Sequence, residues 1–406
     1  MKIPLASSGL RQIDIEKAIE VLNSGKLTMG FHVKTFELAM ARYLNCKEFI
    51  MMNSGSSANL SMIEALMRPT KSKAKLSQGD MVLVPAIAWP TTIWPLIQLG
   101  LKPLFVDVDP RNLSIDLEKA QKEINNHKGL VKGIFPIHPL GYAISPSKLE
   151  LFAEKNSLVL INDVCESLGS WREGRHAGTS GIAGSFSFYF SHHITTMEGG
   201  GVATNDSEFA DDLRSIRSHG WSRDRSDVGQ WQEDTSSNDA KFLFVSTGFN
   251  VRPMEIQAAI GLSQIKDLDM FIEKRRKIAS AVQNALIDTN LELIGGEALS
   301  SDIETKSHSW MLLALRVKGI NSIELKKKIV EELELAGIET RPPLTGNFLS
   351  QPAMKRIESN SQNPEDFIEA TRITNSTFLV GAHHDLTSEQ IDFLCKELRR
   401  ICKRNF

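Results

Sequence analysis

Phe186-Ser-Phe-Tyr-Phe-Ser-His-His-Ile-Thr-Thr-Met-Glu-Gly-Gly200 opens as an aromatic, strand-like run and closes in glycine, with Gly201 following. The strand signal spans Phe186 to Phe190 and stops at Ser191, so His192 and His193 fall where a strand gives way to a loop. In open α/β sheets, ligands bind at that end of the strands. Adjacent histidines taken alone are more often structural or surface residues than catalytic ones, so the surrounding chain has to decide their role.

Upstream, apolar runs and helical patterns alternate. Phe49 to Met52 is a strand, followed by Asn53-Ser-Gly-Ser-Ser-Ala-Asn59 and a helix through Leu66. Strands at Met81–Val84, Pro103–Val106, Leu130–Phe135 and Leu158–Ile161 alternate with helices at Thr92–Leu99, Leu117–Ile124 and Lys148–Lys155. Such alternation predicts a largely parallel sheet with helices on both faces. Ser56 and Ser57 fall at a helix start, where free N–H groups and the helix dipole favour an anion, although serines there also serve simply as caps. The loop is neither a Walker loop nor a GxGxxG turn. Asp163 ends a fully apolar strand, at the ligand-binding edge, and Trp89 follows another strand facing the same crevice. A carboxylate there could equally cap the next helix, and a lone tryptophan is more often core.

Downstream, a helix from Glu208 to Ser218 ends in Ser-His-Gly-Trp221, and the polar residues 222–240 read as a long mobile loop, a possible substrate lid. Gly248-Phe-Asn-Val-Arg-Pro253 introduces two long helices, with Pro253 suited to a first helical turn. Strands near 310–317 and 338–341 and helices near 322–335 and 387–402 suggest a smaller second domain. The expected division is residues 1–265 and 266–406.

Composition narrows the class. The 406 residues are 41% apolar and 24% charged, with 47 Lys plus Arg against 49 Asp plus Glu. That balance offers no basic excess for nucleic acid or an anionic membrane. Cys46, Cys165, Cys395 and Cys402 form neither a disulfide framework nor a zinc pattern. Met81 to Leu101 is uncharged, but its three prolines argue for strand, loop and helix rather than a membrane span. The chain reads as soluble and cytoplasmic.

Five motifs in order carry a resemblance over nearly the whole chain: Ser54-Gly-Ser-Ser-Ala-Asn59, Pro85-Ala-Ile-Ala-Trp-Pro-Thr-Thr92, Asn162-Asp-Val-Cys-Glu-Ser-Leu-Gly169, Phe186 to Gly200, and Gly248-Phe-Asn-Val-Arg252. The sequence resembles the fold-type I pyridoxal phosphate enzymes that act on nucleotide-linked 4-keto sugars. The resemblance implies an α/β, aspartate-aminotransferase-like fold: a large domain with a mostly parallel mixed sheet, plus a smaller C-terminal domain. It implies that Ser56, Ser57 and Ser187 hold the cofactor phosphate, that Trp89 stacks on the pyridine ring, and that Asp163 pairs with the ring nitrogen, with Glu166 beside it. Asn250 would reach the phosphate from the other subunit of a homodimer. Arg252, His219 and Arg341 would meet the amino donor or the sugar.

One position departs from the commoner pattern. In the sugar aminotransferases the place of His192 is taken by a lysine that tethers the cofactor. Imidazole cannot form that stable linkage, but it moves protons near neutral pH. The His192 form resembles a subset, the sugar 3-dehydratases. It implies pyridoxal or pyridoxamine phosphate bound non-covalently, L-glutamate as amino donor, and His192 as the base. The substrate would be a nucleotide-linked 4-keto-6-deoxy sugar, with a GDP-sugar favoured, that loses its C3 hydroxyl. A sister subset carries an iron–sulfur cluster. Cys165 matches its first cysteine, but residues 220–260 contain none, so no cluster of that type is expected. An aminotransferase without the lysine, or a sugar-nucleotide-binding protein that has lost turnover, remain alternatives at this point.

Overall fold

Short runs, most of them apolar, pair into one seven-stranded sheet. The computed structural model describes residues 1–73, 75–233, 239–300, 305–319, 322–357 and 361–404. The strands are β1 (Glu48–Met52), β2 (Met81–Pro85), β3 (Lys102–Val106), β4 (Val131–Ile134), β5 (Val159–Asp163), β6 (Ala183–Ser187) and β7 (Gly200–Thr204). Their order is β1-β7-β6-β5-β4-β2-β3. Strands β2 to β6 run parallel, and β7 alone is antiparallel, wedged between β1 and β6. The carboxyl ends of β1 to β6 therefore share one edge, where Met52 and Ser187 flank Gly200.

Helices cover both faces, as a nearly parallel sheet requires. On one face α3 (Gly55–Met67), α4 (Pro90–Gln98) and α7 (Ser207–Ile216) bury Met62, Ile93 and Leu213. On the other lie α2 (Phe31–Leu44) and α9 (Glu255–Gln264), joined by α5 (Leu117–Asn126) and α6 (Pro146–Lys155). Helix α1 (Gln12–Ser24) packs on α9. A four-stranded antiparallel sheet follows: β8 (Leu291–Leu293), β9 (Leu312–Val317), β10 (Thr340–Arg341) and β11 (Thr377–Gly381), ordered β8-β9-β11-β10. Helices α10 (Leu268–Ala285), α11 (Ser322–Leu335) and α12 (Ser388–Arg404) share its core with Ile3, which bridges in parallel to Ile338.

Three expectations need correction. The strand at the aromatic run is Ala183–Ser187, not Phe186–Phe190, because backbone pairing with β7 rather than side-chain type sets its ends. Tyr189 and Phe190 consequently turn outward and are about 40% exposed. Strand β7, which opens on Gly200 and Gly201, was not anticipated. Within residues 222–240 there is a short helix, α8 (Val228–Gln232), anchored where buried Arg225 pairs with Asp212 and Asp227; residues 234–238 of the expected lid lie outside the described residues. Met81 to Leu101 is strand, loop and helix, as read. Among the described residues no helix is long and apolar enough to cross a membrane.

Candidate active site

A cavity of about 620 Å³ opens at the shared carboxyl edge, a size suited to a small-molecule site. Its floor is Asp163, the last residue of β5, which is 4% exposed. The carboxylate accepts three hydrogen bonds: from the Thr92 hydroxyl at 2.6 Å, the Asn59 amide at 3.0 Å and the Cys165 backbone N–H at 3.1 Å. Thr92 and Asn59 are fully buried on α4 and α3, so both helices aim donors at one acid. The sequence motifs contained both residues, but nothing in their pattern assigned them this task.

Beside the floor, α3 begins. Its cap is Ser54, whose hydroxyl accepts the Ser57 amide at 3.1 Å and donates to the Ser57 hydroxyl at 3.0 Å. Ser57 is thereby committed inside the helix, and it does not line the cavity. Gly55, Ser56 and Ser187 do line it, and the first amides of a helix lack a carbonyl partner one turn back. Chain segments approach so closely here that a Cβ on Gly55 would lie 2.6 Å from the Ser187 Cβ, and one on Gly200 would lie 2.4 Å from the Gly55 nitrogen. This backbone cradle, with a helix N-terminus aimed at it, fits an anionic phosphate.

Trp89 stands in extended backbone just before Pro90 opens α4, leaving the indole 45% exposed on the cavity wall. The Arg341 guanidinium lies 5.8 Å from that ring's centroid. Glu166 accepts the Leu140 amide at 2.8 Å. Burial pushes its carboxyl above the usual range, against the pull of Arg341.

His192 forms the opposite wall. Its amide donates to the Tyr189 carbonyl at 2.9 Å, and its half-buried ring stands edge-on to Tyr189 at 6.2 Å. The Nδ1 atom is buried with no hydrogen-bond partner among the described residues. Burial depresses the imidazole to about 4, opposed by the Cys165 backbone and Asp163 and reinforced by Arg275 and Arg341. His193 turns away: it is fully buried and its Nε2 lies 3.1 Å from the Ser309 carbonyl. Leu5, Ala6, Glu198 and Glu339 also line the cavity, unforeseen from sequence.

His219, Asn250 and Arg252 do not line this cavity. His219 is exposed in left-handed backbone, exposed Asn250 bridges to Ser218, and Arg252 donates to the Ser218 hydroxyl at 3.4 Å. The Cys165 thiol packs against Gly55, and burial raises it well above its ordinary range. Among the described residues no group of three or more His, Cys, Asp or Glu could hold a metal ion.

Residues 10–399 match a family described as the DegT/DnrJ/EryC1/StrS aminotransferase family. The chain belongs to that family. The DegT/DnrJ/EryC1/StrS relatives include the GDP-4-keto-6-deoxy-D-mannose 3-dehydratase of Yersinia pseudotuberculosis, 37% identical over 412 residues, covering 98% of this chain and 99% of that one. The structure of the Escherichia coli GDP-4-keto-6-deoxy-D-mannose-3-dehydratase with bound hydrated PLP is similar at TM-score 0.88 and 34% identity, over 98% of this chain and 99% of that one. A structure of GDP-4-keto-6-deoxymannose-3-dehydratase with a trapped PLP–glutamate geminal diamine is equally similar, at TM-score 0.88 and 34% identity over 98% and 100%. The α/β architecture with a mostly parallel mixed sheet is thus the fold of this family's pyridoxal phosphate enzymes.

Proposed function

We propose that the protein is a pyridoxal-phosphate-dependent 3-dehydratase of a nucleotide-linked 4-keto-6-deoxyhexose, a GDP-sugar, with L-glutamate as amino donor. The observation that carries the reading is His192, an imidazole with an unpartnered Nδ1 on the wall of the Asp163 cavity. It stands where the resemblance puts a lysine tether in the aminotransferases. When bound, the cofactor in its pyridoxamine form supplies the amine that engages the sugar's C4 carbonyl and a ring that takes up an electron pair.

The chain's own residues do the rest. The α3 amides at Gly55 and Ser56, with Ser187, hold the phosphate, while Ser54 caps the helix start through the Ser57 amide. Trp89 covers a ring face, and Asp163, already fixed by three donors, keeps the ring nitrogen protonated. Asn250 completes the phosphate site from the neighbouring copy of a homodimer, with Arg252 and His219 beside it, and Arg341 meets an anionic group of donor or substrate. His192, neutral at physiological pH, accepts a proton from the cofactor's 4′ carbon. The C3–O bond then breaks, the hydroxyl leaves as water, and hydrolysis releases a 3-deoxy-4-keto sugar and ammonia.

Mass analysis of products from a panel of nucleotide-linked 4-keto sugars with glutamate tests this. The expected product lacks the C3 oxygen and carries no new nitrogen; an amino sugar would overturn the reading. Borohydride reduction of the pyridoxal form should leave the denatured protein's mass unchanged, since no lysine is tethered.

A further inference from the structure

Behind the His192 wall sits a cation that reaches no substrate. Arg275, on α10, is 2% exposed, and its guanidinium addresses four main-chain carbonyls from three segments. One terminal nitrogen donates to Met311 at 2.9 Å, Ala382 at 3.3 Å and Trp310 at 3.4 Å, and the other to His192 at 3.3 Å. The Nε atom has no partner among the described residues. The carboxylate whose field reaches the guanidinium is Asp385, which is engaged by the Ser7 hydroxyl at 2.5 Å. A buried cation offset so weakly is disfavoured, so its placement requires a reason beyond packing.

The structure supplies one. Two of the carbonyls immediately precede β9, one follows β11, and the fourth belongs to the cavity loop, so a single side chain fastens that loop to the small sheet. We propose that Arg275 is the positioning residue of His192: it fixes the loop main chain that carries the imidazole and places a buried cation behind it. The inference rests on the reading of His192 as the proton acceptor. Around His192, Asp163 on β5 and the Cys165 backbone favour protonation, while Arg275 on α10, Arg341 on β10 and burial oppose it; the Tyr189 ring stands edge-on. Around Arg275 lie His193, His383 and His384, all of which feel its charge, and Lys274 and Asp385 act on His384 from the same side. The cation therefore faces imidazoles whose neutral form it favours.

Two substitutions separate charge from geometry. In the apoprotein, histidine-selective NMR titration, assigned with His192→Asn, reads the His192 midpoint without cofactor or substrate. Arg275→Gln should move that midpoint upward by roughly half to one unit, and the acidic limb of kcat should move with it. Arg275→Lys keeps the charge but cannot span the carbonyls, so the midpoint should hold while kcat falls about 10- to 100-fold at every pH. An unmoved midpoint in the glutamine variant, or wild-type kcat in the lysine variant, overturns the proposal. If the glutamine variant does not fold, the lysine variant decides: a held midpoint with lowered kcat supports the proposal, and wild-type kcat overturns it. A midpoint that moves while His192→Asn retains turnover would sink the dehydratase reading and leave the electrostatic role of Arg275 standing.

Discussion

On the cavity floor, Asp163 accepts hydrogen bonds from Thr92, Asn59 and the Cys165 backbone. On the facing wall, the Nδ1 atom of His192 accepts none from the described residues. The two groups stand in one cavity and are treated oppositely. A carboxylate held by three donors keeps its direction, which suits a group that must meet a ring without moving. An imidazole held neutral by burial, its Nδ1 without a partner among the described residues, is in the form that accepts a proton. The contrast shows that the same edge of the sheet can hold a side chain tied down by donors and another left able to exchange a proton.

The largest expected effect comes from removing the wall and sparing the floor. His192→Asn should slow dehydration by about a hundred- to ten-thousand-fold, while cofactor affinity, measured by absorbance titration, stays within a few-fold. Near wild-type turnover would erase the distinction between the two groups.

Acidification sharpens the comparison from the other side. His138, His176 and His308 are buried and held down to about 4, 3 and 3 by burial. Each would titrate near 6.5 when unfolded. The unfolded chain therefore binds more protons as pH falls below that value, so stability is fully present above about 6.5 and is lost on the way down to the folded values. At pH 6 the loss is about 1 kcal/mol for each of these histidines. Melting temperature should fall from pH 7.5 to pH 5.5, and a flat profile would show that these histidines are not buried neutral.

Loosening the floor should cost less. Thr92→Val deletes the 2.6 Å hydroxyl–carboxylate bond and should lower stability by about 2 kcal/mol, with weaker cofactor binding measured by titration. Smallest is Ser54→Ala. It removes the α3 cap at about 1 kcal/mol and should loosen phosphate binding by a few-fold, leaving the His192 titration unmoved.

The floor was legible because its cues are local. Asn162-Asp163 ends an apolar run, so the end of β5 followed from periodicity, whereas the helix expected from Thr92 begins two residues earlier, at Pro90. The role of His192 needed five motifs in order, since a histidine after a strand has no distinctive pattern of its own. Strand β7 escaped notice because Gly200 and Gly201 contribute no β propensity; they are there because neighbouring backbone and Phe49 leave no room for a side chain. Arg275 was hidden differently. Lys274-Arg275-Arg276-Lys277 looks like a solvated charged face, yet Phe271, Ile278 and Val282 put position 275 on the buried stripe of α10.

Ile3 lies against Ile338, and the Leu5 amide donates to Glu339 at 3.0 Å, while Leu5 and Ala6 line the cavity. During synthesis this strand-like segment leaves the ribosome long before its partner exists, a wait of tens of seconds at ordinary elongation rates. Much of the large sheet can form in that interval, but the cavity cannot be closed until residues 338 and 339 emerge. Assembly of the pocket is therefore among the last events of folding, and the nascent large domain would pass through a stage with the Asp163 edge still open to solvent.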